Sequence, residues 1–236
     1  LATIGVTGGG PGYAALWDED RDRLLVTHQG GMLSVIDTVT ETAVTNSPFT
    51  HGTRARGIDI DKIHSRYYVG TGDAVGNAAV TIVGFDLQAA GAIPLGAGGD
   101  PTDVKYDAEN DLILIADAAG GTLRVFNAGT LAELAASPIT IGAGAVPMSI
   151  ALGGTGASRR AFVACTNNAD HLQASPHATL AAINLPGLTA VPSSPADVGI
   201  VTTSDDNAGD FDQVRTAYDR RDDWVFVTSD YDKFFG

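Results

Sequence analysis

Apolar and polar residues alternate in short runs along most of this chain, and the runs recur in one arrangement. Gly12-Tyr13-Ala14-Ala15-Leu16-Trp17-Asp18 is followed, after a polar turn, by Leu24-Leu25-Val26-Thr27. Residues 55–61 are followed by Tyr67-Tyr68-Val69-Gly70, residues 101–107 by Leu112-Ile113-Leu114-Ile115, and residues 213–219 by Trp224-Val225-Phe226-Val227. A period of two predicts half-buried strands rather than helices. Each pair therefore predicts a hairpin whose first strand closes on Asp. The offset from that Asp to the last apolar residue of the second strand is 8 in all four pairs: Asp18 to Val26, Asp61 to Val69, Asp107 to Ile115 and Asp219 to Val227. A degenerate copy runs through residues 147–152 and 161–165, with Gly153 in place of the Asp and a longer turn at 154–160.

Further strands complete each unit. Leu33-Ser34-Val35-Ile36-Asp37 leads into residues 42–45, residues 80–86 into 92–95, residues 122–127 into 137–141, and residues 179–184 into 188–191. Asp or Asn closing a strand before a Gly- or Thr-containing turn is hairpin chemistry. The anchors Asp18, Asp61, Asp107, Gly153 and Asp219 stand 43, 46, 46 and 66 residues apart. A period of roughly 40 to 50 residues with several short strands per unit marks a propeller blade. The predicted fold class is all-β: one β-propeller domain of four-stranded antiparallel blades over residues 1–236, with about five repeats. These fall near 12–50, 55–99, 100–145, 146–200 and 211–236 with 1–7. The fifth unit runs out of chain after two strands, and Ala2-Thr3-Ile4-Gly5-Val6 has no strand ahead of it. Two closures are open to such a chain. Either residues 2–6 finish the unit begun at Phe211 and give a five-bladed ring, or the chain is an arc of a larger propeller.

The run Val35-Ile36-Asp37-Thr38-Val39-Thr40 and the run Tyr67-Tyr68-Val69-Gly70 resemble the YVTN and NHL-type propeller repeats. The resemblance covers nearly the whole chain, and departs from it in the degenerate fourth unit and the unfinished fifth. It implies the fold far more strongly than an activity, because such propellers host sugar lactonases, quinoprotein subunits, surface proteins and virion parts.

Composition sharpens this picture. The 236 residues include 29 Gly and carry a formal charge of −14. Of the 28 acids 24 are Asp, and there are only four Glu (Glu19, Glu41, Glu109, Glu133) and three Lys (Lys62, Lys105, Lys233), so strong helix formers are scarce and turn formers abundant. The acid excess argues against a nucleic-acid partner and fits a salty or extracellular setting, where self-repulsion is screened. One Cys excludes an internal disulfide framework and a thiolate zinc cluster. No apolar run reaches the roughly 18 to 20 residues that span a bilayer, so membrane insertion is not expected. The chain opens on Leu1 without a leader pattern, and residues 231–236 end it just after the apolar strand pattern of the fifth unit. The expectation is a removed leader or a piece of a longer chain.

Candidate chemistry is thin. His28, His51, His64, His171 and His177 lie apart, and the six-residue gap between His171 and His177 is no helical ligand pair, so they read as surface or loop histidines. His28 alone, on a loop after a second strand, is placed near the central channel. Asp18-Glu19-Asp20-Arg21-Asp22 reads as a solvated hairpin tip. In Asp205-Asp206-Asn207-Ala208-Gly209-Asp210-Phe211-Asp212, carboxylates at 206, 210 and 212 with Asn207 supply oxygens for Ca²⁺, the one cofactor weighed; an acidic linker is the alternative. A lactonase-type metal site needs a Glu at the channel, and the four Glu fall in turns or the far hairpin. No Gly-x-Ser-x-Gly elbow occurs. Gly8-Gly9-Gly10 and Gly96-Ala97-Gly98-Gly99 precede strands, not helices, and read as connections. Cys165 reads as a buried small hydrophobe. Tyr13, Trp17, Tyr67, Tyr68, Phe85, Tyr106, Phe126, Phe162, Tyr218, Trp224 and Phe226 are placed on strands, packing one unit on the next. No catalytic, cofactor or metal residue is assigned. The expected function is a non-catalytic binding or assembly module of an extracellular, cell-surface, virion or filament structure. Its partners would be other subunits, further copies, a receptor or a glycan. The alternative is a metal-dependent lactonase- or hydrolase-like propeller enzyme.

Overall fold

The computed structural model describes residues 10–52, 54–72, 78–166, 177–201 and 214–229. The chain divides into two compact units, Leu1–Ala108 and Glu109–Gly236. The first unit holds β1 (Gly12–Asp18), β2 (Arg23–His28), β3 (Met32–Asp37), β4 (Thr42–Ala43) and β5 (Phe49–Thr50), in the sheet order β1-β2-β3-β4 with β5 also on β3. It continues with β6 (Ala55–Asp61), β7 (Arg66–Thr71), β8 (Ala78–Gly84) and β9 (Ala89–Gly96), in the order β6-β7-β8-β9, and with β10 (Pro101–Asp107). The second unit holds β11 (Leu112–Asp117), β12 (Thr122–Asn127) and β13 (Ile139–Thr140), paired in that order. Then come β14 (Val146–Gly153), β15 (Arg160–Thr166), β16 (His177–Asn184), β17 (Thr189–Ala190) and β18 (Ala196–Val201), ordered β14-β15-β16-β17 with β18 also on β16. The last pair is β19 (Val214–Asp219) with β20 (Trp224–Ser229). The strand pairs within each unit are antiparallel, and one 3-10 turn, Gly156–Ser158, is the sole helical segment among the described residues.

The first turn of each unit has one conformational rule. The fourth residue after the closing Asp is left-handed in Asp22 (φ 50°), Ser65 (φ 57°), Asp111 (φ 55°) and Asp223 (φ 57°). Asp and Ser tolerate this region because the short polar side chain bonds its own backbone. That shared turn is why the offset of eight recurs.

Each unit has its own apolar core. Leu25, Leu33, Val35, Ile58, Tyr67, Val69 and Val83 cluster in the first, and Leu112, Leu114, Leu123, Val125, Ile150, Val163, Cys165 and Ile183 in the second. Neighbouring inner strands approach closely. A Cβ on Gly57 of β6 would stand 2.5 Å from the Asp103 Cα and 2.7 Å from the Val104 amide on β10, so only glycine fits there.

The outer strands depart from the sequence expectation in one repeated way. Residues 42–45, 137–141 and 188–191 are expected as whole fourth strands, yet three sheets carry the outer strand in two pieces. The break holds Ser47-Pro48, Ser137-Pro138 or Ser194-Pro195, each with a cis peptide bond. Before it, the amides of Val44, Leu134 and Val191 donate to the carbonyls of Val35, Val125 and Ala182, over 2.9, 2.9 and 2.8 Å. At it, those same residues of the adjacent strand donate their amides to a hydroxyl instead of a backbone carbonyl: Val35 to Ser47 Oγ at 2.8 Å, Val125 to Ser137 Oγ at 2.9 Å and Ala182 to Ser194 Oγ at 2.8 Å. Proline has no amide to offer the ladder, and the serine hydroxyl satisfies the neighbouring donor.

Candidate interaction surface

Three of the four closing aspartates are removed from solvent, and Asp219 is half-buried. Asp18, Asp61 and Asp107 are all fully buried. Asp18 Oδ2 accepts the Tyr67 hydroxyl at 2.6 Å, from the second strand of the next sheet, and the Arg21 guanidinium at 3.2 Å. Arg21 also lies over the Phe85 ring, 3.4 Å from its centroid. Asp61 is a second such hub: it accepts the Tyr68 hydroxyl at 2.7 Å, the His64 amide at 2.8 Å, His64 Nδ1 at 2.7 Å and Arg66 Nε at 3.2 Å. Burial alone would push the Asp61 carboxyl up, but the donors from Tyr68 and His64 hold it below the usual carboxylate range. The same bonds, with burial first, push both Tyr67 and Tyr68 well above the ordinary phenol range. The tip expected to be solvated is so only at Glu19, Asp20 and Asp22, and Lys62 of the next sheet bridges Glu19 and Asp20 at 3.4 and 2.7 Å.

Of the histidines, His51 and His64 lie in loops as expected, while His28 and His177 lie on strands. His28 sits in β2, not on a loop, and is buried between Gly10 O (3.2 Å) and Ser34 Oγ (2.9 Å). His51 stacks on Phe49 at 6.2 Å, and burial pushes its imidazole down to about 4, so it is neutral at pH 7. His171 lies outside the described residues, as do residues 2–6 and the cluster 205–212 weighed for Ca²⁺; His177 opens β16. Phe85 falls in a turn rather than on a strand.

Charged groups on β6 and β10 are tied to one another. Arg56 Nη1 pairs with Asp100 Oδ2 at 3.0 Å, and its carbonyl accepts Thr27 Oγ1 at 2.8 Å. Lys105 Nζ meets Asp103 Oδ1 at 3.3 Å. Asp59 Oδ2 accepts the Tyr106 amide at 2.7 Å; burial pushes this carboxyl above its usual range, with Lys105 opposing. Of the four glutamates, Glu133 forms a two-point pair with Arg124 at 3.0 and 2.6 Å and accepts Ser137 Oγ at 2.8 Å, while Glu109 accepts the Gly156 amide. Cys165 is buried in the second core, and burial pushes its thiol up to about 12, which keeps it protonated and inert. Among the described residues no three His, Cys, Asp or Glu side chains gather where a metal ion would fit.

Several large apolar side chains also stand open. The sequence predicts aromatics packed unit on unit, and Tyr67 on Asp18, Tyr68 on Tyr106 at 6.1 Å and Phe162 on Tyr218 at 6.0 Å do so. Trp224 and Phe226 on β20 are 61% and 48% exposed, with their rings 6.1 Å apart, and Trp17 on β1 is 49% exposed. Among the described residues β20 is hydrogen-bonded to β19 alone. Large exposed apolar side chains grouped together are a feature of interaction surfaces and ligand grooves. No helix among the described residues is long and apolar enough to cross a membrane.

In comparisons with known proteins, no family model and no curated protein matches the sequence. Solved structures do match. Hydrazine synthase of Kuenenia stuttgartiensis superposes with a TM-score of 0.63 at 12% identity, over 83% of this chain and 52% of that one. The Cps50 (Swd1) β-propeller domain of Myceliophteria thermophila gives 0.62 at 10% identity, over 94% and 63%. Dihydro-heme d1 dehydrogenase NirN in complex with DHE gives 0.58 at 12%, over 78% and 37%. This chain thus spans between about a third and two thirds of the length of each. At such identities the likeness is one of fold alone: an all-β chain of antiparallel sheets, similar to a β-propeller domain.

Proposed function

We propose that this chain is a propeller of about five YVTN/NHL-type repeats that works as a non-catalytic binding or assembly module of an extracellular, cell-surface, virion or filament structure. The observation that supports it is the exposure of Trp224 and Phe226 side by side on β20. Burying a ring of this size is worth about 2 to 3 kcal/mol, so a protein partner that covers the pair gains affinity there without any further group. The ionisable groups of the first unit serve a different end: Asp18, Asp61 and Asp59 each hold one strand to another, and Arg56 on β6 pairs with Asp100 just before β10.

The reading is tested by two measurements on the same protein. Binding of an environment-sensitive apolar dye is compared in the parent and in Trp224→Ser/Phe226→Ser, and hydrolysis of a lactone panel is followed with Ca²⁺ or EDTA. Dye binding that falls in the double variant, with no EDTA-sensitive hydrolysis, is expected. Hydrolysis that EDTA abolishes overturns the reading in favour of a metal-dependent enzyme.

A further inference from the structure

His51 is the one ionisable side chain among the described residues whose buried polar atoms lack a hydrogen bond: both ring nitrogens are buried and neither has a partner. Buried polar groups are nearly always paired, so a neutral imidazole with an idle donor and an idle acceptor is a cost to the fold. An apolar side chain would pack on Phe49 as well, without that cost. The ring lies 6.2 Å from the Phe49 ring at 22°, on the face of the first sheet that carries Leu33 and Val35. The carbonyls of Met32 and of His51 itself favour the charged ring, and burial outweighs them.

Among the described residues no countercharge stands beside the ring. The ionisable groups on that face are Asp18 on β1, Arg23 on β2, Asp37 on β3 and Tyr67 on β7, all at the opposite end of their strands. From Arg23 to the His51 end of β2 is five residues, roughly 16 Å. β6 and β8 present Ala55, Ile58 and Val83. His28 pairs with Met32 and so turns to the other face, between Gly10 and Ser34. Arg54, three residues further along, carries a like charge. The backbone here joins the first sheet to the second. The His51 amide donates to the Gly31 carbonyl at 2.9 Å and the Arg54 amide to Gln29 at 3.1 Å, both in the β2–β3 turn, while the Arg54 carbonyl accepts the Gly72 amide at 3.1 Å, just after β7. Arg54 is held left-handed at φ 51°, a strained state for a long side chain.

We propose that His51 is an acid-sensitive latch: when its imidazole takes a proton, the ring leaves Phe49 for water, residues 51 and 54 let go of the β2–β3 turn, and the seam between the first and second sheets loosens at that end. A charged ring has no partner in the closed state, and opening also relieves the strain at Arg54, so both effects act in one direction. The sign follows from the ring's two environments. It titrates at about 4 when buried and at the ordinary 6.5 when open, so above that range the ring is neutral in both states and the latch stays shut. As pH falls from 7 to 4 only the open ring gains the proton, and local opening grows about a hundredfold. The latch goes beyond the binding-module reading and does not depend on it.

The test is native-state hydrogen exchange at pH 7 and pH 4, with each rate referred to that of an unstructured peptide at the same pH. In the parent, protection of the His51 and Arg54 amides is expected to fall about a hundredfold at pH 4. The Val44 amide, which donates to Val35 in the same sheet, serves as the control and is expected to fall far less. His51→Phe keeps a ring against Phe49 and removes the titrating group, so the Arg54 amide of that variant is expected to hold its protection at pH 4. The imidazole of the parent is titrated by NMR alongside, which needs no variant, and its midpoint is expected well below the ordinary range. Four outcomes overturn the proposal: unchanged protection of the His51 and Arg54 amides at pH 4, an equal loss at Val44, the same loss at Arg54 in His51→Phe, or an imidazole midpoint near 6.5. None of these touches the binding-module reading, which falls only to EDTA-sensitive turnover.

Discussion

The phenol of Tyr67 on β7 donates to the Asp18 carboxylate at the end of β1 over 2.6 Å, with both residues fully buried. The bond joins the second strand of one sheet to the first strand of the sheet before it. Tyr67→Phe removes this donor from a buried carboxylate and leaves it the Arg21 guanidinium at 3.2 Å. A hydrogen bond to a charged group contributes about 1.5 to 3 kcal/mol. The expected result is a loss in that range, read as a lower urea midpoint at unchanged m-value.

Asp61 and Asp59 give opposite pH signatures from the same strand. Asp61 is held below its unfolded value, so its contribution is present above the ordinary carboxylate range and lost as pH falls through the folded pKa. Asp61→Asn is expected to lower stability at pH 7 and flatten the acid limb of the melting profile. Asp59 is pushed up by burial, so its ionised form at neutral pH opposes folding, and protonation on acidification relieves that. Asp59→Asn keeps an oxygen for the Tyr106 amide and is expected to raise the melting temperature at pH 7, the gain closing as pH falls through the Asp59 titration. Thermal melts from pH 3 to 8 decide both signs.

Much of the repeat was legible in the sequence because its spacing is set by a turn. The offset of eight from Asp18, Asp61, Asp107 and Asp219 reflects a left-handed residue at one fixed place, and a local rule leaves a local trace. What those aspartates do was not legible. An Asp at a strand end suits a solvated turn as well as a buried hub, and the Tyr67 that decides the matter for Asp18 is 49 residues away. His28 misled for a related reason: its partners, Gly10 O and Ser34 Oγ, belong to flanking segments that alternation does not bring together. The exposure of Trp17 and Phe226 was not legible either, because alternation at their positions reads the same as that of a buried strand. The split outer strands did leave a signal, the recurring Ser-Pro before a short strand at Phe49, Ile139 and Ala196, which the alternation of residues 42–45 and 137–141 overshadowed.

Ser137 shows what the split strand requires. Its hydroxyl accepts the Val125 amide at 2.9 Å and donates to Glu133 Oε1 at 2.8 Å. Ser137→Ala leaves the amide of a fully buried valine without an acceptor, a cost of about 1 to 3 kcal/mol. Ser47→Ala and Ser194→Ala remove the equivalent acceptor from Val35 and Ala182. The three sites share no partners, so the triple variant is expected to lose the sum of the single losses to within about 0.5 kcal/mol. Chemical denaturation of the four variants checks this, and three near-neutral single variants would remove the serine hydroxyls from the account of the fold.

Gly57 is the tightest of these tests because the obstacle is backbone. A methyl group there meets the Asp103 Cα and Oδ1 at 2.5 Å and the Val104 amide at 2.7 Å. Asp103 Oδ1 can swing aside, at the expense of its contacts to the Val104 amide at 2.9 Å and Lys105 at 3.3 Å, but the Cα cannot. Gly57→Ala must therefore push β6 and β10 apart, and overpacking of this kind costs about 1 to 3 kcal/mol or more. Gly12, on the first strand of its own sheet, is the control: a methyl group there meets the Val26 Cγ1 at 3.2 Å, a side-chain atom that can yield. The expected order of melting temperatures is parent, then Gly12→Ala, then Gly57→Ala well below both. Displacing β10 also carries Tyr106 away from Asp59 Oδ2, now 2.7 Å from its amide, so in Gly57→Ala the Tyr106 amide should exchange with deuterium faster than in the parent, whereas in Gly12→Ala it should not.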